Sequence, residues 1–167
     1  WMYGGPQRND DNAMKNAANE LQGLLQFYST QVSRLCFPLT ALIDYKGFRM
    51  IAVAVLPIGT ASILYGSNDS GKTVHASSAE VNSLMQRAGQ LLNLRPHIVG
   101  TTPTACQILH VCGDIEVHHG FDGRYYVIDF ARVFPCEAAS PEDKLRYPRS
   151  TWWRHLRPEL VRDIPTP

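Results

Sequence analysis

The chain has 167 residues, 19% of them charged, and a formal net charge of +1, which suits one globular domain that folds without a metal or disulfide. Its near-neutral charge argues against a nucleic-acid surface over the whole molecule, although a local basic patch stays open. No apolar run approaches the roughly 20 residues that span a bilayer, and no signal peptide pattern begins the chain.

The cysteines indicate the cellular compartment, and the first residue indicates whether the sequence is part of a longer protein. The cysteines follow no disulfide-rich pattern, which indicates free thiols in a reducing, cytoplasmic compartment. They are Cys36, Cys106, Cys112 and Cys136. Because the sequence begins at Trp1 rather than Met, we expect residues 1–167 to be one domain from a longer protein.

The first predicted element is a long amphipathic helix. Asp10 and Asp11 are possible N-caps, and apolar residues then recur at helical spacing from Met14 to Leu35. We expect Pro38 to end this helix.

Short strands follow. Two apolar runs, 39–44 and 48–56, predict a hairpin around Lys46 and Gly47. Further strands are predicted at 62–65 and 72–75, on either side of a polar turn. Connections this short imply antiparallel pairing.

The second half repeats this mixture. Ser77 and Glu80 have capping-box spacing before a second helical stripe that ends near Leu92. Strands are predicted over 105–112, 115–121 and 125–130, and a last helix starts at Ser150 or Thr151 and restarts at Pro158. The predicted fold is α+β, with mainly antiparallel sheets built from hairpins and packed against two to three helices.

Residues 66–73 match the phosphate-loop pattern G-x-x-x-x-G-K-[ST], through Gly66, Gly71, Lys72 and Thr73. A phosphate loop must open directly into a helix whose N-terminus faces the anion. Here the chain continues as a strand, and Asp69 would place a negative charge in the anion cradle. We therefore expect a glycine-containing hairpin loop, with nucleotide binding as the alternative.

A zinc site could be drawn from Cys106, His110, Cys112, His118 and His119. The chain has no C-x-x-C pair, and this spacing matches no common structural zinc pattern. Buried thiols and a satisfied core histidine are therefore favoured, and no metal is predicted.

A polar site is predicted beside the Asp122-Gly123 hairpin signal. A two-residue turn there would pair Glu116 with Asp129 across two strands. Facing carboxylates repel, so a cation should compensate them: a protonated His118, Arg124, Arg132, another arginine or a metal. An arginine would make a structural clamp, a metal or ligand would make a binding site, and a catalytic role stays open. The binding candidates are Glu116, His118, Asp122, Arg124, Asp129 and Arg132.

The C-terminal part interleaves arginine with aromatic residues, a combination that can hold phosphates and stack bases. These residues are Arg146, Tyr147, Arg149, Trp152, Trp153, Arg154, Arg157 and Arg162. The alternative is a helix whose aromatic residues pack in the core while its arginines are solvated.

Three segments resemble the CLU (clustered mitochondria) domain family: 44–58, 65–75 and, most specifically, 114–135 with its core DGRYYxxDxAR-x-x-P. Residues 156–161 resemble the family's closing helix. The sequence departs from the family pattern at Val117, Phe121 and Cys136.

The resemblance implies a large cytosolic protein that affects mitochondrial distribution and associates with messenger RNA and ribosomes. It establishes no catalytic residue and no cofactor, and it favours a non-catalytic binding or scaffold domain. Segments 56–57, 65–67 and 128–130 also resemble lipid and inositol phosphate kinases. Under that alternative, Asp129 would hold a metal and Lys72 a phosphate.

Overall fold

The computed structural model describes residues 2–3, 10–147 and 150–165, and its helices and antiparallel sheets confirm the α+β class. Its helices are α1 (Asp10–Ser29), α2 (Ala79–Leu91), α3 (Pro141–Arg146) and α4 (Pro158–Asp163), with a 3-10 turn over Ser150–Trp152. Its strands are β1 (Met2–Tyr3), β2 (Leu35–Cys36), β3 (Thr40–Tyr45), β4 (Phe48–Val53), β5 (Ile63–Gly66), β6 (His75–Ala76), β7 (His97–Val99), β8 (Gln107–Leu109), β9 (Glu116–His119) and β10 (Tyr125–Ile128).

Three sheets organise these strands. The largest has the order β2-β10-β9-β5-β6, a second has the order β1-β4-β3, and β7 pairs with β8. The predicted antiparallel pairing is confirmed for the hairpins. One pair differs, because β2 runs parallel to β10.

The core lies where α1 and α2 meet the five-stranded sheet. Phe27 of α1 and Met85 of α2 are fully buried in one cluster with Val117 of β9 and Val127 of β10. The rings of Phe27 and Phe130 lie 5.5 Å apart, edge to face. This packing fixes α1 beside the end of β10.

The first helix ends well before Pro38, so that prediction was wrong. The hydroxyls of Ser29 and Thr30 donate to the carbonyls of Gln26 and Phe27, each at 2.7 Å. Gln31 then takes the left-handed conformation, with φ 50°, which stops helix propagation. Leu35, predicted to extend the helical stripe, is buried in β2 instead.

The hairpin around Lys46-Gly47 is confirmed. Both residues have positive φ, 47° and 80°, as a two-residue type I′ turn requires. The second helix is also confirmed, although its N-cap is Ser78 rather than Ser77.

The hairpin at Asp122-Gly123 exists, but its predicted register was off by one residue. The Gly120 amide donates to the Arg124 carbonyl at 2.8 Å, so the loop has three residues, and Gly123 has φ 77°. This is a turn followed by a left-handed residue rather than a two-residue turn. Glu116 therefore pairs with Ile128, not with Asp129. Phe121, which the predicted register would place on the core face with Val117, is 82% exposed.

Candidate functional site

Glu116 and His118 form the centre of the polar site. Because side chains alternate along a strand, these residues share one face of β9. His118 Nε2 lies 2.9 Å from Glu116 Oε2. His118 is only 5% exposed and Glu116 only 7% exposed, so the pair is shielded from water.

Ser62, a residue the sequence reasoning missed, extends the pair. Its Oγ lies 3.0 Å from His118 Nδ1, which gives a serine, histidine and glutamate in series. The same hydroxyl lies closer to the Gly59 carbonyl, at 2.6 Å. A hydroxyl has one proton, and a carbonyl can only accept, so Ser62 donates to Gly59. Ser62 therefore has no proton left to give to His118, as an activated serine nucleophile must.

Asp129 reaches this cluster by a different route from the predicted one. It follows β10 with φ 64°, a left-handed turn that Asp tolerates better than most residues. Its carboxyl group comes within hydrogen-bonding reach of Glu116 despite the shifted register. Burial, followed by the neighbouring carboxylates of Glu116 and Glu20, raises the pKa of Asp129 to about 7. The rest of the Asp129 side chain is exposed to water.

A retained proton therefore relieves the repulsion between Asp129 and Glu116. Arg132, one predicted cation, pairs instead with Asp114, Nε to Oδ2 at 2.5 Å, and lies over the Trp152 ring at 4.9 Å. The other predicted cation, Arg124, is a surface residue next to Asp122 at the hairpin tip, where Asp122 also accepts from the Tyr126 hydroxyl at 2.8 Å. Neither Asp122 nor Arg124 joins the cluster.

The carboxylates line a cleft of about 420 Å³. Its wall includes Glu20, Asp114, Glu116, Asp129 and Arg132. Glu20 comes from α1, where its Oε1 accepts from the Phe130 amide at 3.0 Å. Burial raises the pKa of Glu20. Proton exchange between carboxyl groups is the chemistry that this arrangement supports most directly.

The phosphate-loop pattern forms a hairpin loop between β5 and β6, as the sequence favoured. Asp69 occupies the place of an anion: its Oδ1 accepts from the Thr73 amide at 2.8 Å and from Ser67 Oγ at 3.0 Å. These bonds lower the pKa of Asp69, the Thr73 amide most of all. Lys72 is exposed and is not among the residues that line the carboxylate cleft with Asp129. This geometry does not favour the kinase-like alternative.

The cysteine and histidine candidates for zinc are dispersed. In the part of the chain that the structure describes, no three His, Cys, Asp or Glu side chains are placed to hold a metal ion, the cleft carboxylates included. Cys106 and Cys112 are half-buried free thiols. Burial raises the pKa of Cys112 to about 12, which keeps the thiol protonated.

Several side chains of the arginine and aromatic cluster already have partners within the domain. Trp153 is buried, whereas Trp152 is 55% exposed beneath Arg132. Arg154 pairs with Glu137 and Asp143 at 3.2 and 2.9 Å. Arg149 lies outside the described residues.

The fold and the site define an α+β domain with a buried histidine–carboxylate cluster beside a polar cleft. A family model described as Clustered mitochondria matches residues 4–139, and the chain therefore belongs to the CLU family. No helix in the described ranges has the length and apolar character of a membrane span.

Named relatives agree with this assignment. A Clustered mitochondria protein homolog from Brugia malayi is 32% identical over 141 residues, covering 80% of this chain and 10% of that protein. A homolog from Danio rerio is 30% identical over 173 residues, covering 91% and 12%. Protein clueless from Drosophila persimilis is 32% identical over 123 residues, covering 70% and 8%. The chain thus spans about a tenth of the length of these relatives. No solved structure matches it.

Proposed function

We propose that this domain is a non-catalytic protein-binding and scaffold module of a larger cytosolic protein. That protein takes part in mitochondrial distribution and associates with messenger RNA or ribosomes. The names of its relatives support the mitochondrial role, and the family resemblance supports the association with RNA or ribosomes. Two features of the structure support binding rather than catalysis.

The first feature, which carries the proposal, is an apolar sheet face. In the β3–β4 pair, Ile43 is opposite Met50 and Tyr45 is opposite Phe48, so these residues share one face. The buried Ile51 points to the other face. The outer face of the hairpin consists of Ala41, Ile43, Tyr45, Phe48, Met50 and Ala52, of which Met50 alone is half-buried and the rest are exposed.

An antiparallel sheet that faces water normally carries polar residues on that face. Contiguous exposed apolar residues mark interaction sites. The six residues of this outer face include no Lys or Arg, and a cation beside it is Lys46 of the turn, whose Nζ lies 5.4 Å from the centroid of the Tyr45 ring. Nucleic-acid affinity depends on several cations that contact phosphates. The partner that fits the outer face is therefore another protein surface, and contact with RNA would be made elsewhere in the full-length protein.

The second feature is that the side chains of the polar cluster are already hydrogen-bonded within the domain. Ser62 donates its proton to Gly59, and His118 is held between Ser62 and Glu116. A nucleophile needs a base that can take its proton and room for a substrate. Here the histidine is 5% exposed and both of its ring nitrogens have partners, which is typical of a structural network.

The proposal is tested by comparing two aspartate substitutions. Phe48→Asp places a charge on the outer face, while Leu145→Asp places the same charge on α3, where Leu145 is 87% exposed. Both variants should remain folded by circular dichroism. Protein partners recovered from cytosol by the tagged chain should be lost with Phe48→Asp and kept with Leu145→Asp. Equal recovery with both variants would contradict the proposal.

A further inference from the structure

A second cavity, which shares only Arg132 with the lining of the carboxylate cleft, has the composition of a ligand site. It encloses about 460 Å³, within the range of small-molecule pockets. Val111, Val133 and Phe134 in its wall are at most 7% exposed. Leu94 and Pro135 add further apolar surface.

The walls of this cavity are held in place by several chain segments. The Leu94 amide donates to the Gly89 carbonyl at 2.8 Å, and the Leu156 amide donates to the Pro135 carbonyl at 2.8 Å. On the far wall, His155 Nδ1 lies 3.3 Å from Asn19 Nδ2 of α1. A cavity whose walls are fixed in this way loses little conformational entropy when it binds a ligand.

The lining carries basic side chains but no acidic ones. Arg95, His97, Arg132 and His155 line the cavity, and no Asp or Glu does so. Arg132 is neutralised by Asp114, which lies outside the cavity lining. Arg95 is exposed at the rim and has no ion pair within the described ranges. Burial and the nearby Arg132 lower the pKa of His155, so this imidazole is neutral and can accept a hydrogen bond.

We propose that this cavity binds an anionic amphiphile, a ligand with one carboxylate and an apolar body of roughly ten carbons. The apolar body would lie against Leu94 and Pro135, which have accessible surface, and the carboxylate would meet Arg95 at the rim. Burial of the chain would supply most of the affinity. The exposed arginine would select the sign of the head group, because an exposed charge pair adds little to affinity.

Titration of the full 167-residue chain with decanoate, below its micelle concentration, tests this inference. Decyltrimethylammonium is the matched probe with the same chain and the opposite charge. Decanoate should shift the amide resonances of Val111, Val133 and Phe134 saturably, and more strongly than the cationic probe. Arg95→Gln should weaken decanoate binding by about two- to fivefold. Arg87→Gln, an equal charge change on the exposed side of α2, should leave it unchanged.

Several results would overturn the inference. Equal affinity for the two probes would show that charge has no role in selection. Equal effects of Arg95→Gln and Arg87→Gln would place the carboxylate elsewhere. Shifts that do not saturate, or that centre on residues away from the cavity, would show non-specific adsorption of the amphiphile. Both substitutions are at exposed positions, so loss of folding would not confuse the reading.

Discussion

His118 and Glu116 are two residues apart on β9, and a 2.9 Å hydrogen bond joins Nε2 of the imidazole to Oε2 of the carboxylate. Together with Ser62 they have the chemical composition of a catalytic triad. The hydrogen bond of Ser62 argues against that role, because its hydroxyl donates its one proton to the Gly59 carbonyl and not to His118. The group instead ties β9 to the segment that precedes β5.

The first prediction concerns the stability that this cluster provides. Glu116→Ala should lower the free energy of unfolding by about 3 kcal/mol, because it leaves a buried imidazole without its charged partner. Ser62→Ala removes one hydrogen-bond partner and should cost about 1 kcal/mol. Glu159→Ala, at an exposed site on α4, is the control and should change little. Urea denaturation measures all three, and a cost for Glu116→Ala no larger than that of the control would contradict the buried pair.

The second prediction concerns pH. The pKa of Asp129 is about 7 in the folded chain and about 3.9 when unfolded, so the folded state binds more protons between these values. Stability should therefore fall as pH rises from about 4 to about 7. Because water screens the exposed carboxyl group, the loss should be roughly 1–2 kcal/mol rather than the full value of the shift.

Asp129→Asn is the variant that isolates this effect. Asn tolerates the left-handed backbone, so the turn is preserved while the titrating group is removed. The variant should be more stable than the wild type at pH 8 and should show a flatter dependence on pH. Thermal unfolding at a series of pH values measures the stability of both chains. If the two chains show the same dependence of stability on pH, a group other than Asp129 causes it.

A third prediction separates the phosphate-loop pattern from phosphate binding. Since Asp69 already occupies the loop amides, Mg²⁺ with ATP or GTP should leave the melting temperature unchanged. Lys72→Ala, at an exposed side chain, should melt like the wild type. A nucleotide-dependent rise of several degrees that vanishes in Lys72→Ala would favour a nucleotide-binding domain.

Gly66 gives the fourth prediction, because its place in the pattern has a structural cause. Its φ is +95°, and a Cβ there would lie 1.8 Å from the Ile115 carbonyl oxygen. Gly66→Ala should therefore destabilise the fold by about 2 kcal/mol or more. Gly47→Ala has positive φ but open space around it, so its cost should be smaller, about 1 kcal/mol. Equal costs by urea denaturation would show that the close approach to Ile115 is not rigid.

Local patterns predicted the elements well where a single mechanism dominates. The Lys46-Gly47 turn, the stripe of α2 and the hairpin before Tyr125 needed no information from distant residues. The register of that last hairpin could not be read from Asp122-Gly123, because two- and three-residue loops both place Gly at a left-handed position. One residue of loop length changed every cross-strand pair.

The polar cluster shows the same limit. Glu116 and His118 could be placed on one face by alternation alone. Ser62 could not be found, because it meets His118 only through the pairing of β5 with β9, across 56 residues of sequence. Asp129 was predicted near Glu116 for the wrong reason: its left-handed turn, not strand pairing, brings the two carboxyl groups together. The outer face of β3 and β4 is visible in the sequence as runs that are apolar at successive positions, but these runs equally predict a fully buried hairpin.

Site-specific photo-crosslinking tests the binding role most directly. A photoreactive phenylalanine analogue would replace Phe48 on the outer face in one chain, and Leu145 on α3 in another as the control. The account predicts that position 48 yields discrete adducts with protein and that position 145 yields few. Adducts at position 48 that contain RNA, or equal labelling at the two positions, would contradict the claim that the outer face is a protein-binding surface.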